Sequence, residues 1–153
     1  FQRRRKREYV YHNTDNMSET RAQPTVAVVD DDPIFQFTAV RTLQHSRLST
    51  PVLQFANALA FLDFLRSHAH EPDKLPDVIF LDINMPMMDG WMFLEDFKQL
   101  KETLGKEIKI YVLSSSIDSR DIDKARENPL VDDYVTKPIT PERFSEILKL
   151  GQG

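Results

Sequence analysis

The 153-residue chain is 41% hydrophobic and 29% charged, the make-up of one globular domain with a core of ordinary size, and it has no apolar run long enough to span a bilayer. It holds no cysteine, which excludes disulfide frameworks and thiolate chemistry. Of its 20 basic and 24 acidic residues, five and two lie in residues 1–16; the remaining 15 and 22 leave a balance near −7, which argues against a nucleic-acid surface.

Phe1 to Asn16 carries the run Arg3-Arg4-Arg5-Lys6-Arg7 and precedes Met17-Ser18-Glu19-Thr20, which reads as a translation start. Nothing in it resembles a signal peptide, so a cytoplasmic location is expected. Residues 1–24 are expected to be a leader or added extension with its linker, solvated rather than a polyanion-binding tail. Within it, Tyr9-Val10-Tyr11 has the β-propensity to pair with a sheet edge or a neighbouring molecule. The domain itself is expected over 25–150, followed by a short tail at 151–153.

From Thr25 the chain repeats one unit: an apolar run, a polar cluster, then a helical pattern. The first run, Thr25 to Val29, enters Asp30-Asp31-Asp32. Pro33 suits the first turn of a helix whose stripe is read as Ile34, Phe37, Val40 and Leu43. The second run is Val52 to Phe55; Asn57 is the N-cap candidate, and Ala58, Phe61, Leu62 and Leu65 follow at i, i+3, i+4 and i+7. The third run is Val78 to Leu81. It stops at Asp82 and leads through a turn bracketed by Pro86 and Gly90 to Phe93, Leu94, Phe97, Leu100 and Leu104. The fourth, Ile108 to Leu113, meets Ser114-Ser115-Ser116; its helix, Ser119 to Asn128, has only Ile122 and Ala125 as apolar residues and is stopped by Pro129. It should be the most exposed and least stable helix. The fifth, Val131 to Val135, delivers Lys137-Pro138, and Thr140-Pro141 opens a last helix with Phe144, Ile147 and Leu148 inward.

Five strand-then-helix units predict an α/β fold: a doubly wound, five-stranded parallel sheet with helices on both faces. In such sheets the ligand crevice lies outside the carboxyl ends of the strands. Here those ends carry Asp30 and Asp31, Asp82, Ser114 and, after the fifth strand, Lys137. Carboxylates gathered there repel one another unless a cation joins them, and hard oxygen donors at this density favour Mg²⁺. With a fixed ammonium and a hydroxyl donor added, the set describes a phosphoryl site in which Asp82 is the nucleophile.

These residues, in this order and each at a strand end, resemble the receiver domain of two-component response regulators. The resemblance covers Thr25 to Leu150 and implies the flavodoxin-like strand order 2-1-3-4-5. In Leu-Asp-Ile-Asn-Met-Pro-Met-Met-Asp-Gly it makes Asp82 the phosphoacceptor. In Val-Val-Asp-Asp-Asp-Pro it makes Asp31 the direct Mg²⁺ ligand and Asp30 a ligand through water, with the backbone carbonyl of Asn84 completing the protein's share. Ser114 corresponds to the switch hydroxyl that binds phosphate, Tyr134 in Asp-Tyr-Val-Thr-Lys-Pro to the switch aromatic, and Lys137 to the phosphate-binding lysine. The chain departs from the family in Asp32, read as a solvated acid or helix N-terminal anion. It departs again at Asn128-Pro129-Leu130-Val131, where many receivers have a glycine turn, and in its short final helix.

The implied function is a stand-alone response regulator in a two-component system or phosphorelay. It would take phosphate from a sensor histidine kinase or histidine phosphotransfer protein, catalyse only its own phosphorylation and dephosphorylation, and signal to a downstream protein. A homodimer through the fourth helix, fifth strand and fifth helix is a further expectation; neither nucleic acid nor membrane is expected as a partner. One rival is a Mg²⁺-dependent phosphohydrolase with an aspartyl nucleophile, but that chemistry needs an acid where Asn84 stands. Another is an interaction module that works without phosphorylation, against which Asp31, Asp82, Ser114 and Lys137 count. Further expectations are a cis bond at Lys137-Pro138, a solvated His68 and His70 rather than a metal pair, Met85, Met87 and Met88 as turn and packing residues, and a partly buried Trp91.

Overall fold

The structure, a computed structural model, describes residues 9–12, 24–45, 50–115 and 117–151. The basic run, the Met17–Thr20 start and Ser116 lie outside the described residues. Six strands form one sheet: β1 (Tyr9–His12), β2 (Val26–Val29), β3 (Val52–Phe55), β4 (Val78–Asp82), β5 (Lys109–Ser114) and β6 (Asp133–Thr136). The helices are α1 (Pro33–Gln44), α2 (Ala58–Ser67), α3 (Gly90–Leu100), α4 (Ser119–Glu127) and α5 (Pro141–Gly151). The sheet runs β1-β3-β2-β4-β5-β6. Strands β2 to β6 are parallel and, counted among themselves, take the expected order 2-1-3-4-5. Strand β1 is antiparallel to β3, with Tyr9 opposite Phe55 and His12 opposite Val52, so the β-prone leader segment pairs with an edge of its own sheet.

Alternation along the strands builds two cores, because successive side chains point to opposite faces. Val26, Val28, Phe80, Tyr111 and Leu113 pack with residues of α1 and α5, whereas Ala27, Val29, Leu81, Ile110 and Val112 pack with α2 and α3. Strand β4 is buried along its whole length, as a central parallel strand must be.

The stripe read for α1 needs correction. Ile34 and Phe37 are 75% and 62% exposed, while Phe35, Gln36, Ala39, Val40 and Leu43 are buried. A step of three residues falls short of the 3.6-residue turn, so 34, 37, 40 and 43 wind around the helix, whereas 35, 39 and 43 stay on one face. Similarly, α3 ends at Leu100, and buried Leu104 follows a 3₁₀ turn instead of extending the helical face. Strand β6 starts at Asp133 and not at Val131, although Asp132 still pairs with β5 through its N–H and its carboxylate, both bonded to Ile110. Helix α4 buries only Ala125, in keeping with its expected exposure.

The turn chemistry follows the side chains. Asp32, Asn57 and Asp89 are the N-caps of α1, α2 and α3, each accepting a backbone N–H of the first turn. Asn128 accepts the N–H of Leu130 at 2.9 Å, an Asx turn that does the work of the missing glycine. Among the described residues no helix is long and apolar enough to cross a membrane.

Candidate functional site

The acidic residues arrive where strands end. Asp30 follows β2 directly and is fully buried. Its N–H donates to the Phe55 carbonyl at 3.0 Å and its Oδ1 accepts the Asp32 N–H at 2.9 Å. Its Oδ2 lies 2.5 Å from the Lys137 ammonium, and its carbonyl accepts from the Gln36 side chain at 3.1 Å. Asp31 is exposed at the mouth of the crevice. Asp82 ends β4 and is 3% exposed; its Oδ1 accepts the Asn84 N–H at 3.0 Å and its Oδ2 lies 3.6 Å from Lys137.

Burial pushes the Asp82 carboxyl up from its ordinary 3.8 to about 6. The Asn84 N–H pulls it down, Asp30 pushes it up, Lys137 pulls it down and Asp31 pushes it up. Loss of hydration outweighs the single hydrogen bond and the ammonium.

Lys137 sits after β6, joined to Pro138 by the expected cis bond. Its N–H donates to the Ser114 carbonyl at 2.9 Å, and its ammonium lies 4.7 Å from the centre of the Phe35 ring. Ser114 is fully buried at the end of β5, with its Oγ at 3.5 Å from the Asn84 side-chain nitrogen. Tyr134 is half-buried on β6, in register with Val112, two residues before the Thr136 that pairs with Ser114.

Carboxylate oxygens of Asp30, Asp31 and Asp82 all lie within 4.8 Å of one another, the group of this kind among the described residues that could hold a metal. One ammonium against three carboxylates leaves negative charge in a desolvated crevice, and the donors are hard oxygens, so the residues present fit a small divalent cation such as Mg²⁺. The structure shows Asn84 in the crevice through its N–H and its amide.

The loop after β4 is tightly constrained. A Cβ on Gly90 would meet the Ile83 Cα at 2.7 Å and the Asp82 carbonyl oxygen at 2.9 Å, so only glycine lets α3 start this close to the phosphoacceptor candidate. Of the three methionines expected to serve in the turn or in packing, Met87 is the turn residue: it holds a left-handed φ of 70° and is 87% exposed. Met85 is buried and Met88 half-buried. His68 caps α2 with its Nδ1 at 2.8 Å from the Phe64 carbonyl, and His70 is exposed. Trp91 is half-buried beneath the Lys124 ammonium.

Sequence reasoning missed Phe35 and Gln36. The correct helical period would have put both on the buried face of α1, but nothing in it signals the Lys137 contact or the amide's partners.

The family model described as response regulator receiver domain matches residues 26–149. The sensor histidine kinase CheAY of Helicobacter pylori is 28% identical over 102 residues, 67% of this chain and 12% of that protein. Among solved structures, a two component response regulator from Cytophaga hutchinsonii superposes with a TM-score of 0.78 at 28% identity, over 86% of this chain and 98% of the other. A response regulator receiver protein from Dyadobacter fermentans gives 0.73 at 33% identity, over 84% and 97%.

Proposed function

The chain belongs to the response regulator receiver domain family, and from that membership we propose that it accepts a phosphoryl group from a phosphohistidine onto Asp82. The observation that carries the reading is the convergence of Asp30, Asp31 and Asp82 within 4.8 Å, with the Lys137 ammonium beside two of them. In the transfer, the phosphorus–nitrogen bond of the donor breaks as a bond forms from phosphorus to a carboxylate oxygen of Asp82, and the imidazole leaves with the electron pair. Asp30, Asp31, Asp82 and the Asn84 carbonyl would hold Mg²⁺, which when bound offsets the charge of the carboxylates and of the phosphoryl oxygens.

The chain's own groups do the rest. The Asn84 N–H holds one oxygen of Asp82 and leaves the other facing Lys137. There the ammonium can follow the incoming negative charge, and the Ser114 hydroxyl can donate to a phosphoryl oxygen. The same crevice that raises the Asp82 pKa keeps bulk water from the new acyl phosphate.

The test is intact mass after incubation with acetyl phosphate. One phosphoryl group should be added in the presence of Mg²⁺, and none in excess chelator or in Asp82→Asn. Undiminished labelling of that variant would discard the assignment.

The donor is proposed to be a histidine kinase or phosphotransfer protein of the cytoplasm, and the signal to leave by protein contact through α4, β6 and α5. Two features support that face. Helix α4 is weakly anchored, and Lys137 ties β6 to the Ser114 end of β5, so a phosphoryl group that draws in Ser114 strains the neighbouring loop and the position of Tyr134. Amide exchange with and without a phosphoryl mimic should change between Asp118 and Lys149; changes clustered around α2 instead would overturn this output face.

A further inference from the structure

Gln36 is a buried polar residue in the second turn of α1, 8% exposed. Its Nε2 lies 3.0 Å from the Val28 carbonyl, 3.1 Å from that of Asp30 and 3.0 Å from that of Phe55. Its Oε1 accepts from Gln54 Nε2 at 2.9 Å, which fixes the orientation of the amide, donor side toward the three carbonyls. One amide therefore joins α1, the end of β2 and the end of β3. A buried glutamine costs free energy unless satisfied, and here both ends are.

The choice of carbonyls is what matters. The Phe55 carbonyl also accepts the Asp30 N–H, so Asp30 is tied to β3 directly at its nitrogen and through Gln36 at its oxygen. Both peptide planes flanking Asp30 are thereby held, and the second of them belongs equally to Asp31. Asp31 is exposed and stands between two anchored neighbours: Asp30, and Asp32 with its cap bond to Ile34. Its direction into the crevice is set by backbone, and Gln36 holds that backbone.

We infer that Gln36 is a positioning residue for the acidic pair: its amide, clamped on the Asp30 carbonyl, aims the Asp31 carboxylate at the divalent-cation site. The inference rests on the metal reading of Asp30, Asp31 and Asp82. Removing a group that orients metal ligands without touching the metal typically costs about ten- to a hundredfold in affinity, because a misaimed carboxylate must reorganise before it can bind.

The experiment is calorimetric titration of the full chain with Mg²⁺ alone, comparing the native protein, Gln36→Met and Leu43→Ala. Methionine keeps the length of the side chain and removes the donors. Leu43, fully buried on the same helix but remote from the acids, supplies a variant that loosens α1 without touching the clamp. Affinity should fall by roughly tenfold in Gln36→Met and stay within about twofold in Leu43→Ala. Exchange of the Asp30 amide in metal-free protein should speed up in the first variant only. If Gln36→Met does not fold, Gln36→Asn, which is a methylene too short to reach the carbonyls, takes its place. A loss below about fivefold, or an equal loss in Leu43→Ala, overturns the inference. A native chain that binds no Mg²⁺ sinks the metal reading and this one with it, a result distinct from native binding that Gln36→Met leaves intact.

Discussion

Asp82→Asn is expected to make the metal-free protein more stable near neutral pH, with a thermal midpoint raised by roughly 5–10 °C. The Asp82 carboxyl titrates at about 6 in the folded chain against an ordinary 3.8. An acid whose folded pKa is raised binds its proton more tightly folded than unfolded, so stability falls as pH climbs from about 4 to about 6 and is level above that window. The difference between an ordinary 3.8 and about 6, at about 1.4 kcal/mol for each tenfold change in proton affinity, puts the cost on the order of 3 kcal/mol at pH 7. Asparagine keeps the oxygen that accepts the Asn84 N–H and removes the buried charge. Thermal melts in chelator from pH 3.5 to 7.5 check this. The gain should be greatest above pH 6 and shrink steadily toward pH 3.5, as the carboxyl becomes protonated in the unfolded chain as well as in the folded one. A gain independent of pH would trace the effect to packing and not to charge. Mg²⁺ should stabilise the native protein and leave the variant nearly unmoved, since a cation that binds only the folded state stabilises in proportion to its affinity.

Much of this site was legible because each group closes a strong local signal. Val78 to Leu81 is a short apolar run of the length a buried strand takes, and Asp82 interrupts it at the position a parallel sheet reserves for ligands. Asp30, Ser114 and Lys137 repeat that logic on three other strands, and their convergence came with the topology. What stayed hidden is what depends on rotation about an axis or on contacts between distant elements. The α1 stripe failed because residues three apart drift around a helix, which moved Ile34 and Phe37 to the surface and concealed Phe35 and Gln36 in the core. The three carbonyls that share the two N–H groups of the Gln36 amide come from β2, the loop after it and β3, a conjunction without any local trace.

Lys137→Met should be the most damaging single change in the crevice, costing about 3–5 kcal/mol at neutral pH. The methylene stem is retained, so little packing is lost; what is lost is the ammonium that lies over the Phe35 ring, 2.5 Å from Asp30 and 3.6 Å from Asp82. Both carboxylates are almost wholly removed from water, and an unpaired charge in such a place bears its full desolvation cost. Adding Asp30→Asn should recover most of the loss, because the amide oxygen still accepts the Asp32 N–H while the charge nearest the missing ammonium is gone. Urea unfolding of the native protein, both single variants and the double variant measures this as a coupling energy. Independent, additive effects would mean that Lys137 acts on the fold through something other than Asp30. A strong coupling explains why an ion pair is kept where an apolar pair of similar volume would hold the fold as well or better. With its charge already largely desolvated and facing Asp82, Lys137 is placed to turn from Asp30 toward the phosphoryl group proposed for Asp82 without first shedding a full shell of water.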